Sequence, residues 1–258
     1  MCIRDSSHIY YADRLNQLPL AIFGIALGIV LLPRLSKSIK QNDQIDINSI
    51  QNRSLEFSLL IALPSAVGLY VLAYPIIHIL FERGAFVHED TFFTASVLSF
   101  FALGLPAYII IKILVTCFFA REDTRTPLYI SIISVISNIV LSLMLIQSKR
   151  EMGIATATAI SAWINAGLLY LILQAQSKII LDSLFFKNLI KIIIVTIILA
   201  FVAKYLNNFL FVGMNDISML MKIIYLIVII GICKIIYLGL IIVLKVLSFR
   251  DLKGYIKK

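Results

Sequence analysis

Seven long apolar stretches run along the chain, separated by short polar segments. A helix needs about 20 apolar residues to cross the hydrocarbon core of a bilayer, and more if it tilts. On this basis the pattern predicts seven spans, at Gln17–Leu32, Leu55–Phe81, Thr91–Phe119, Leu128–Gln147, Gly153–Gln174, Leu189–Leu206 and Ser218–Leu247. The alternating segments that are typical of an outer-membrane barrel are absent from the sequence. Because helices satisfy their own backbone hydrogen bonds in lipid, the sequence predicts an all-α integral membrane protein.

The composition supports this class. The chain has 258 residues, of which 60% are hydrophobic and only 14% are charged. Soluble domains carry about 25% charged residues. The net charge of +9 does not indicate a nucleic-acid partner, because the basic residues lie between the apolar stretches and at the C-terminus. Such positions suit anionic lipid and the control of topology. The cysteines and histidines are widely separated in the sequence and form no metal-binding or disulfide pattern.

The basic residues are distributed unequally between the two sides of the predicted membrane. Fourteen lie on the side that holds the C-terminal tail and the loops after spans one, three and five, and five lie on the other side. The positive-inside rule therefore predicts a cytoplasmic C-terminus and an outer position for the beginning of span one. The polar segment Ser36–Arg53 on the basic side predicts either an interfacial helix or a solvated loop.

Prolines and small residues recur inside the spans. Pro64, Pro75 and the segment Gly104–Pro106 predict kinks, because proline removes a backbone hydrogen-bond donor. Such kinks can line a cavity or belong to a static bent bundle, and the sequence leaves both readings open. The small residues between Gly153 and Ala162 predict a close contact between span five and a neighbouring helix.

A charged pair, Asp13 and Arg14, lies at the mouth of the first apolar stretch. Charge beside hydrocarbon is costly, so this pair is a candidate functional site. The guanidinium of Arg14 stays ionised and offers a fork of donors that suits phosphate or carboxylate. The alternative is that Arg14 extends to the lipid headgroups while Asp13 neutralises it. Lys112 and Lys234 also lie inside spans, where they can reach the interface or face a cavity.

A second set of polar side chains lies in spans four and five. Ser131, Ser134, Asn138 and Ser142 follow helical spacing, and Thr158 can meet them from the antiparallel fifth span. Oxygen atoms from two facing helices can hold a small cation. The spacing alone favours the other reading, which is hydrogen bonding between the two helices.

Five segments resemble those of a known membrane-protein family. They are Tyr10–Leu15, which reads Tyr-Tyr-Ala-Asp-Arg-Leu, together with Ile25–Ser36, Ala62–Ala66, Lys112–Leu114 and Phe118–Pro127. The chain resembles the lipid II flippase family (MurJ, also called MviN) over almost all of residues 10–258. The resemblance implies the C-terminal lobe, helices eight to fourteen, of a fourteen-helix fold related to the MATE exporters. It also implies transport rather than enzymatic chemistry: undecaprenyl-diphosphate-linked lipid II is moved across the bacterial inner membrane by alternating access.

The resemblance also divides the chain. It implies helices eight to twelve in residues 7–175. Residues 176–258 then hold two further helices that form a groove for the lipid tail, followed by a basic cytoplasmic tail. Residues 1–6 are expected to be an artefact of a fragment end. The implied partners are lipid II, membrane lipids and an N-terminal lobe of the same protein, with no cofactor and no nucleic acid.

Three other functions remain open at this stage. Two belong to the same superfamily, namely a flippase for another lipid-linked oligosaccharide and a MATE-type exporter, although an exporter of cationic drugs would prefer acidic cavity residues. The third and least favoured is a membrane enzyme that acts on polyprenyl phosphate. Such an enzyme needs paired carboxylates, or His and Asp close together. The only adjacent acids, Glu89-Asp90 and Glu122-Asp123, look like loop charges.

The resemblance assigns roles to individual residues. It implies that Arg14 holds the diphosphate, with Asp13 and Gln17 beside it in the substrate-binding set. Gln17 stands where some members of the family have an acid, so a role for that acid does not carry over. Thr116 replaces a proline that is common in the family, which predicts a changed kink in span three.

The resemblance also suggests a cation site. Asn138, Thr158 and the carbonyl of Ile154 match positions of the family's sodium site. Ser142 stands where a sodium-binding member has an aspartate, and this weakens the case for sodium coupling. A sodium ion is therefore a candidate ligand, and no firm metal site is predicted.

Overall fold

The computed structural model describes residues 3–211 and 218–246. These residues form α1 (Ile3–Pro19), a π-helical segment (Leu20–Ile25), α2 (Ala26–Lys40), α3 (Gln44–Val71), α4 (Ala73–Phe81), α5 (His88–Phe119), α6 (Arg125–Ala175), α7 (Ser183–Phe211) and α8 (Met219–Val243). In the described ranges, six helical stretches are long and apolar enough to cross a membrane. The prediction of an all-α membrane protein is thereby confirmed. The predicted basic tail after residue 246 lies outside the described residues.

The first predicted span, Gln17–Leu32, is helical but is not one regular α-helix. Pro19 closes α1, and the π-helical segment follows before α2 begins. Proline has no N–H to donate to the carbonyl four residues earlier, and a wide π turn accommodates the interrupted ladder. The three elements have 17, 6 and 15 residues. The described part of the chain therefore contains six uninterrupted span-length helices, where seven were predicted.

The polar segment between the first two spans is mostly helical. Helix α2 continues to Lys40 and α3 begins at Gln44, so only residues 41–43 form a turn. Asp43 caps α3 by accepting a hydrogen bond from the backbone N–H of Asp46 at 3.0 Å. The segment therefore forms neither a separate interfacial helix nor a long solvated loop, because the end of α2 and the beginning of α3 take up all but three of its residues.

The prolines act differently at different positions. Leu72 separates α3 from α4, because Pro75 cannot donate to the carbonyl of Val71. Pro64 and Pro106, in contrast, lie within α3 and α5, which continue past them. The hydroxyl of Thr116 donates to the backbone carbonyl of Lys112, one turn earlier, at 2.7 Å, and α5 continues to Phe119.

Helix α6 is a hairpin of two antiparallel arms, Arg125–Gln147 and Arg150–Ala175. The chain reverses at Arg150, whose φ of 48° is left-handed and therefore strained for a residue with a side chain. At Gly153 a Cβ atom would lie 2.5 Å from the carbonyl oxygen of Leu145 on the first arm. Only glycine fits such an approach. The predicted close contact between spans four and five is confirmed.

Helix α5 is the centre of the fold and packs against α1, α2, α3, α4 and α6, while α7 packs against α3 and α8. The turns at 41–43, 120–124 and 176–182 lie at one end, which we call the basic end. There the side chain of Arg121 donates to the carbonyl of Lys178 at 2.8 Å, and Asn52 donates to that of Ile180 at 2.7 Å. The loop at 82–87, the α6 reversal and the beginnings of α1 and α8 lie at the other end, which we call the histidine end.

Candidate functional site

Helix α1 has an exposed polar face that contains the predicted substrate residues. Tyr10, Asp13, Arg14 and Gln17 follow spacings of three and four, so they share one side of the helix. Tyr10, Arg14 and Gln17 are exposed, and Asp13 is half-buried. The opposite face is buried and includes Ala12. The sequence therefore folds into a helix that holds its arginine away from the core.

The two charges of this face have different partners. A guanidinium nitrogen of Arg14 donates to the hydroxyl of Tyr10 at 2.9 Å, and the guanidinium carbon lies 4.8 Å from the centre of the Tyr10 ring. The amide of Gln17 donates to the carboxylate of Asp13. Asp13 is thus held by Gln17 rather than by Arg14. The guanidinium keeps further N–H groups that can bind a planar or tetrahedral oxyanion.

The exposed face combines groups that can bind phosphate with one carboxylate. The guanidinium of Arg14 and the hydroxyl of Tyr10 can donate to phosphate oxygens, whereas the amide of Gln17 already donates to Asp13. The binding roles of Arg14, Asp13 and Gln17 stay predictions.

The buried face of α1 contributes a cluster that the sequence analysis missed. A ring nitrogen of His8, Nε2, lies 3.1 Å from Asp90 Oδ1 on α5, and the other, Nδ1, lies 3.5 Å from Glu151 Oε1 on α6. All three side chains are at least nine-tenths buried. Asp90 is therefore not the loop charge that the sequence suggested. It lies in the first turn of α5 and also accepts a hydrogen bond from the N–H of Val87 at 2.9 Å.

A second cluster lies nearby, at the same end of the molecule. His78 Nδ1 lies 2.7 Å from Glu82 Oε2, and His78 Nε2 accepts from Lys222 Nζ at 3.1 Å. The hydroxyl of Thr91 donates to Glu82 at 2.6 Å, and His88 Nδ1 lies 3.7 Å from its other oxygen. Burial alone would raise the pKa of Glu82, but the hydrogen bonds from Thr91 and His78 outweigh it and lower that pKa. Glu82 is thus held as a carboxylate.

The predicted cation residues form two local pairs. Asn138 Oδ1 accepts from the hydroxyl of Ser142 at 3.1 Å on the first arm of α6, and Thr158 donates to the carbonyl of Ile154 at 2.9 Å on the second. Between the arms, Ser134 donates to the carbonyl of Ser161 at 3.0 Å. That register brings Asn138 and Thr158 to about the same level of the hairpin. Within the ranges 3–211 and 218–246, no group of three or more His, Cys, Asp or Glu residues could hold a metal ion.

An apolar cavity of about 390 Å³ lies between α3, α5, the second arm of α6 and α7. Its walls are almost entirely hydrocarbon and aromatic, and they include Leu59, Leu114, Tyr170, Phe185 and Ile193. The cavity can therefore take a hydrocarbon chain but offers little to a polar ligand. Lys112 on α5 and Lys234 on α8, the two lysines predicted inside spans, are both exposed.

Comparisons of the sequence with known proteins match this chain to one family. A family model described as "Lipid II flippase MurJ" matches residues 5–226. The probable lipid II flippase MurJ of Rickettsia prowazekii (strain Madrid E) is 42% identical over 209 residues, which cover 80% of this chain and 41% of the relative. The corresponding protein of Rhizobium tropici is 40% identical over 200 residues, covering 78% of this chain and 38% of the relative.

The fold gives the same match. A solved structure of the lipid II flippase MurJ in an inward closed conformation superposes with a TM-score of 0.70 at 30% sequence identity. The superposition covers 92% of this chain and 48% of the solved one. This chain therefore spans less than half the length of each of these proteins.

Proposed function

We propose that the protein moves lipid II across the inner membrane by alternating access, because the chain belongs to the lipid II flippase MurJ family. The observation that carries the proposal is the exposed guanidinium of Arg14 on the polar face of α1. We propose this activity for the complete protein that carries the sequence, in which these helices act as the C-terminal lobe. The basic end is proposed to face the cytoplasm, as the positive-inside rule predicts.

The mechanism follows from the solvation of the cargo. A diphosphate cannot cross hydrocarbon unaided, since removing its charges from water is very costly. Arg14 replaces water by donating N–H groups to phosphate oxygens, and Tyr10 holds the guanidinium in place. Asp13 and Gln17, which bind each other, would lie beside the head group on the same face. Rocking of one lobe against the other would then expose the head group to the opposite side.

The lipid tail needs no aqueous path. We propose that it stays in or against apolar surface, and the cavity beside α7 supports this because its lining is almost wholly apolar. Residues 176–258 would thus serve the tail while α1 serves the head group. Sodium coupling through Asn138, Ile154 and Thr158 has weaker support. Asn138 and Thr158 each make a local hydrogen bond, and Ser142 cannot supply the charge of an aspartate.

The role of Arg14 can be tested by replacement. Arg14→Ala removes two or more charge-assisted hydrogen bonds, about 3 kcal/mol and so roughly 100-fold in affinity for the diphosphate. The variant is expressed from the complete reading frame in a strain depleted of its own flippase. We expect no growth, although immunoblots of the membrane fraction show normal insertion. Arg14→Lys should restore growth only in part, because lysine keeps the charge but loses the planar fork.

Arg125→Ala is the matched control. Arg125 is also exposed, but it begins α6 at the basic end, remote from the polar face of α1. We expect this variant to support growth. Normal growth of the Arg14→Ala strain would remove the basis of the proposed head-group site.

A further inference from the structure

Pro64 leaves a hydrogen-bond acceptor without its usual donor in the middle of α3. A residue in an α-helix donates its backbone N–H to the carbonyl four residues earlier, and proline has no N–H. The carbonyl of Leu60 therefore lacks its helical donor, although α3 continues past Pro64 to Val71. Leu60 is buried, so this carbonyl has little access to water. A backbone carbonyl in such a place needs a donor from elsewhere in the molecule.

The donor comes from α8. The hydroxyl of Tyr237 donates to the carbonyl of Leu60 at 2.6 Å, and the side chains on both sides of this bond are buried. Helix α8 itself packs mainly against α7 and, to a lesser extent, against α4, and its backbone makes little close contact with α3. The phenol of Tyr237 thus connects two helices whose backbones are not close neighbours.

Helix α7 lies between this contact and the apolar cavity. Leu189 and Ile193 of α7 line the cavity. Ile192 and Val195, on a different face of α7, are buried in one cluster with Tyr237. Because α7 packs against both α3 and α8, the bond from Tyr237 ties together the two helices that hold α7 in place.

We propose that Tyr237 is a positioning residue for this wall of the cavity. Its hydroxyl supplies the hydrogen bond that Pro64 cannot, and it thereby fastens α8 to α3. Loss of the bond leaves the carbonyl of Leu60 buried without a donor, which favours separation of α8 from α3. Helix α7 then loses its support on that face, and the cavity wall can move. This consequence for the lipid tail rests on the proposed function, whereas the fastening of α8 does not depend on any cargo.

Cys233 can report whether α8 is fastened. It lies one turn before Tyr237 on the same face of α8 and is buried in the same cluster. A maleimide can reach its thiol only when α8 separates locally, so the labelling rate measures the population of the separated state. Cys117 on α5 is buried in a different cluster and serves as the internal control. Mass spectrometry of peptides from the purified complete protein follows both thiols.

The first variant is Tyr237→Phe, which keeps the ring and removes only the hydroxyl. A buried carbonyl without a donor should raise the population of the separated state, and with it the labelling rate of Cys233, by roughly 10- to 100-fold. The labelling rate of Cys117 should not change. Tyr225→Phe is the matched control, because it removes a hydroxyl from a half-buried tyrosine of the same helix and should leave both rates unchanged. An unchanged rate at Cys233 in Tyr237→Phe would overturn the proposal.

The second variant tests the part played by the proline. Pro64→Ala adds a backbone N–H that can donate to Leu60, and alanine is a good helix former, so the carbonyl no longer depends on Tyr237. In this background Tyr237→Phe should accelerate labelling of Cys233 roughly tenfold less than in the unmodified protein. Pro106→Ala in α5 is the matched control, and there the effect of Tyr237→Phe should stay complete. An equal effect in the unmodified and Pro64→Ala backgrounds, or a reduced effect in Pro106→Ala, contradicts the proposal.

The same variants cover the case in which Tyr237→Phe does not fold. The N–H that Pro64→Ala restores should then rescue the protein, so the double variant should elute as folded protein from a size-exclusion column. Tyr237→Phe combined with Pro106→Ala should not be rescued. Absence of rescue by Pro64→Ala would reject the role of Tyr237. None of these measurements uses lipid II, so failure of the proposed transport would be recognised separately, by the growth test of Arg14.

Discussion

His8 and His78 lie at the same end of the molecule, but the groups that face their ring nitrogens differ. His8 Nε2 makes a hydrogen bond of 3.1 Å with Asp90, whereas His8 Nδ1 lies 3.5 Å from Glu151 and has no hydrogen-bond partner in the described part of the chain. His78 lies between the carboxylate of Glu82 and the ammonium of Lys222, so one nitrogen must donate and the other must accept. The role of a histidine depends on what faces each ring nitrogen, not on its place in the sequence.

The largest expected difference between the His8 and His78 clusters is the free energy of unfolding that is lost when the histidine is replaced. His8→Leu removes the hydrogen bond to Asp90 and the contact with Glu151 at a site where all three side chains are at least nine-tenths buried, which costs about 3–5 kcal/mol. His78→Leu should cost about 1 kcal/mol, because Glu82 is more exposed and keeps the hydrogen bond from Thr91. The free energy of unfolding, from reversible detergent titrations of the complete protein, measures both.

Two further variants sharpen this result. The double variant His8→Leu with Glu151→Leu should recover part of the loss, since it also removes the buried carboxyl group that the imidazole contacts. His88→Leu is the control for loss of an exposed histidine, because the side chain of His88 is 75% exposed. If His8→Leu and His78→Leu lose the same free energy of unfolding, the deeper burial of His8 does not make its cluster more important for stability.

The same contrast shows what the sequence can and cannot predict. Six of the seven predicted spans could be located because bilayer thickness sets the length of an apolar stretch, and Arg14 became a candidate because a charge beside such a stretch is conspicuous. The His8 cluster could not be found this way, because its members lie in three distant elements that meet only through packing. Glu89 and Asp90 are adjacent acids, but the first is exposed and the second is buried.

Local backbone chemistry explains the remaining differences. The sequence predicted kinks at prolines, but whether a helix ends or continues depends on how neighbouring turns adapt, as the break at Leu72 and the unbroken helix at Pro64 illustrate. For the polar segment Ser36–Arg53 the sequence left a helix and a loop both open, because polar helical ends resemble loops in a hydropathy pattern. A clearer signal existed in Asp43, which is a favourable N-cap residue.

A smaller effect is expected from the hydroxyl that holds Glu82. Thr91→Val keeps the side-chain shape but removes the donor at 2.6 Å, so the pKa of Glu82 should rise from its lowered value toward 4.5. Ionised Glu82 stabilises the folded state. Its contribution to stability is fully present above the ordinary pKa of a glutamate and is lost as the pH falls through the lowered pKa of Glu82. The variant should be less stable by about 1 kcal/mol at neutral pH, and the difference should shrink in acid.

Thr94→Val is a matched control for this prediction. Thr94 is also fully buried on α5, but its hydroxyl has no hydrogen-bond partner in the described part of the chain. The free energy of unfolding, measured at about pH 7 and about pH 4, should therefore fall by a pH-dependent amount in Thr91→Val. In Thr94→Val its change should be the same at both pH values. If Thr91→Val loses the same stability at both pH values, the hydroxyl of Thr91 does not act through the ionisation of Glu82.

The smallest effect should come from Lys222, whose contact with His78 joins α8 to α4. Lys222→Met removes a partly exposed ammonium, so it should change global stability by only about 0.5 kcal/mol. Its local effect should be clearer, because the hydrogen bond from Lys222 to His78 fastens the first turn of α8 to α4. Hydrogen exchange at the beginning of α8 should therefore be faster in Lys222→Met than in the unmodified protein. Equal exchange in the two proteins would mean that this lysine does not hold α8 against His78.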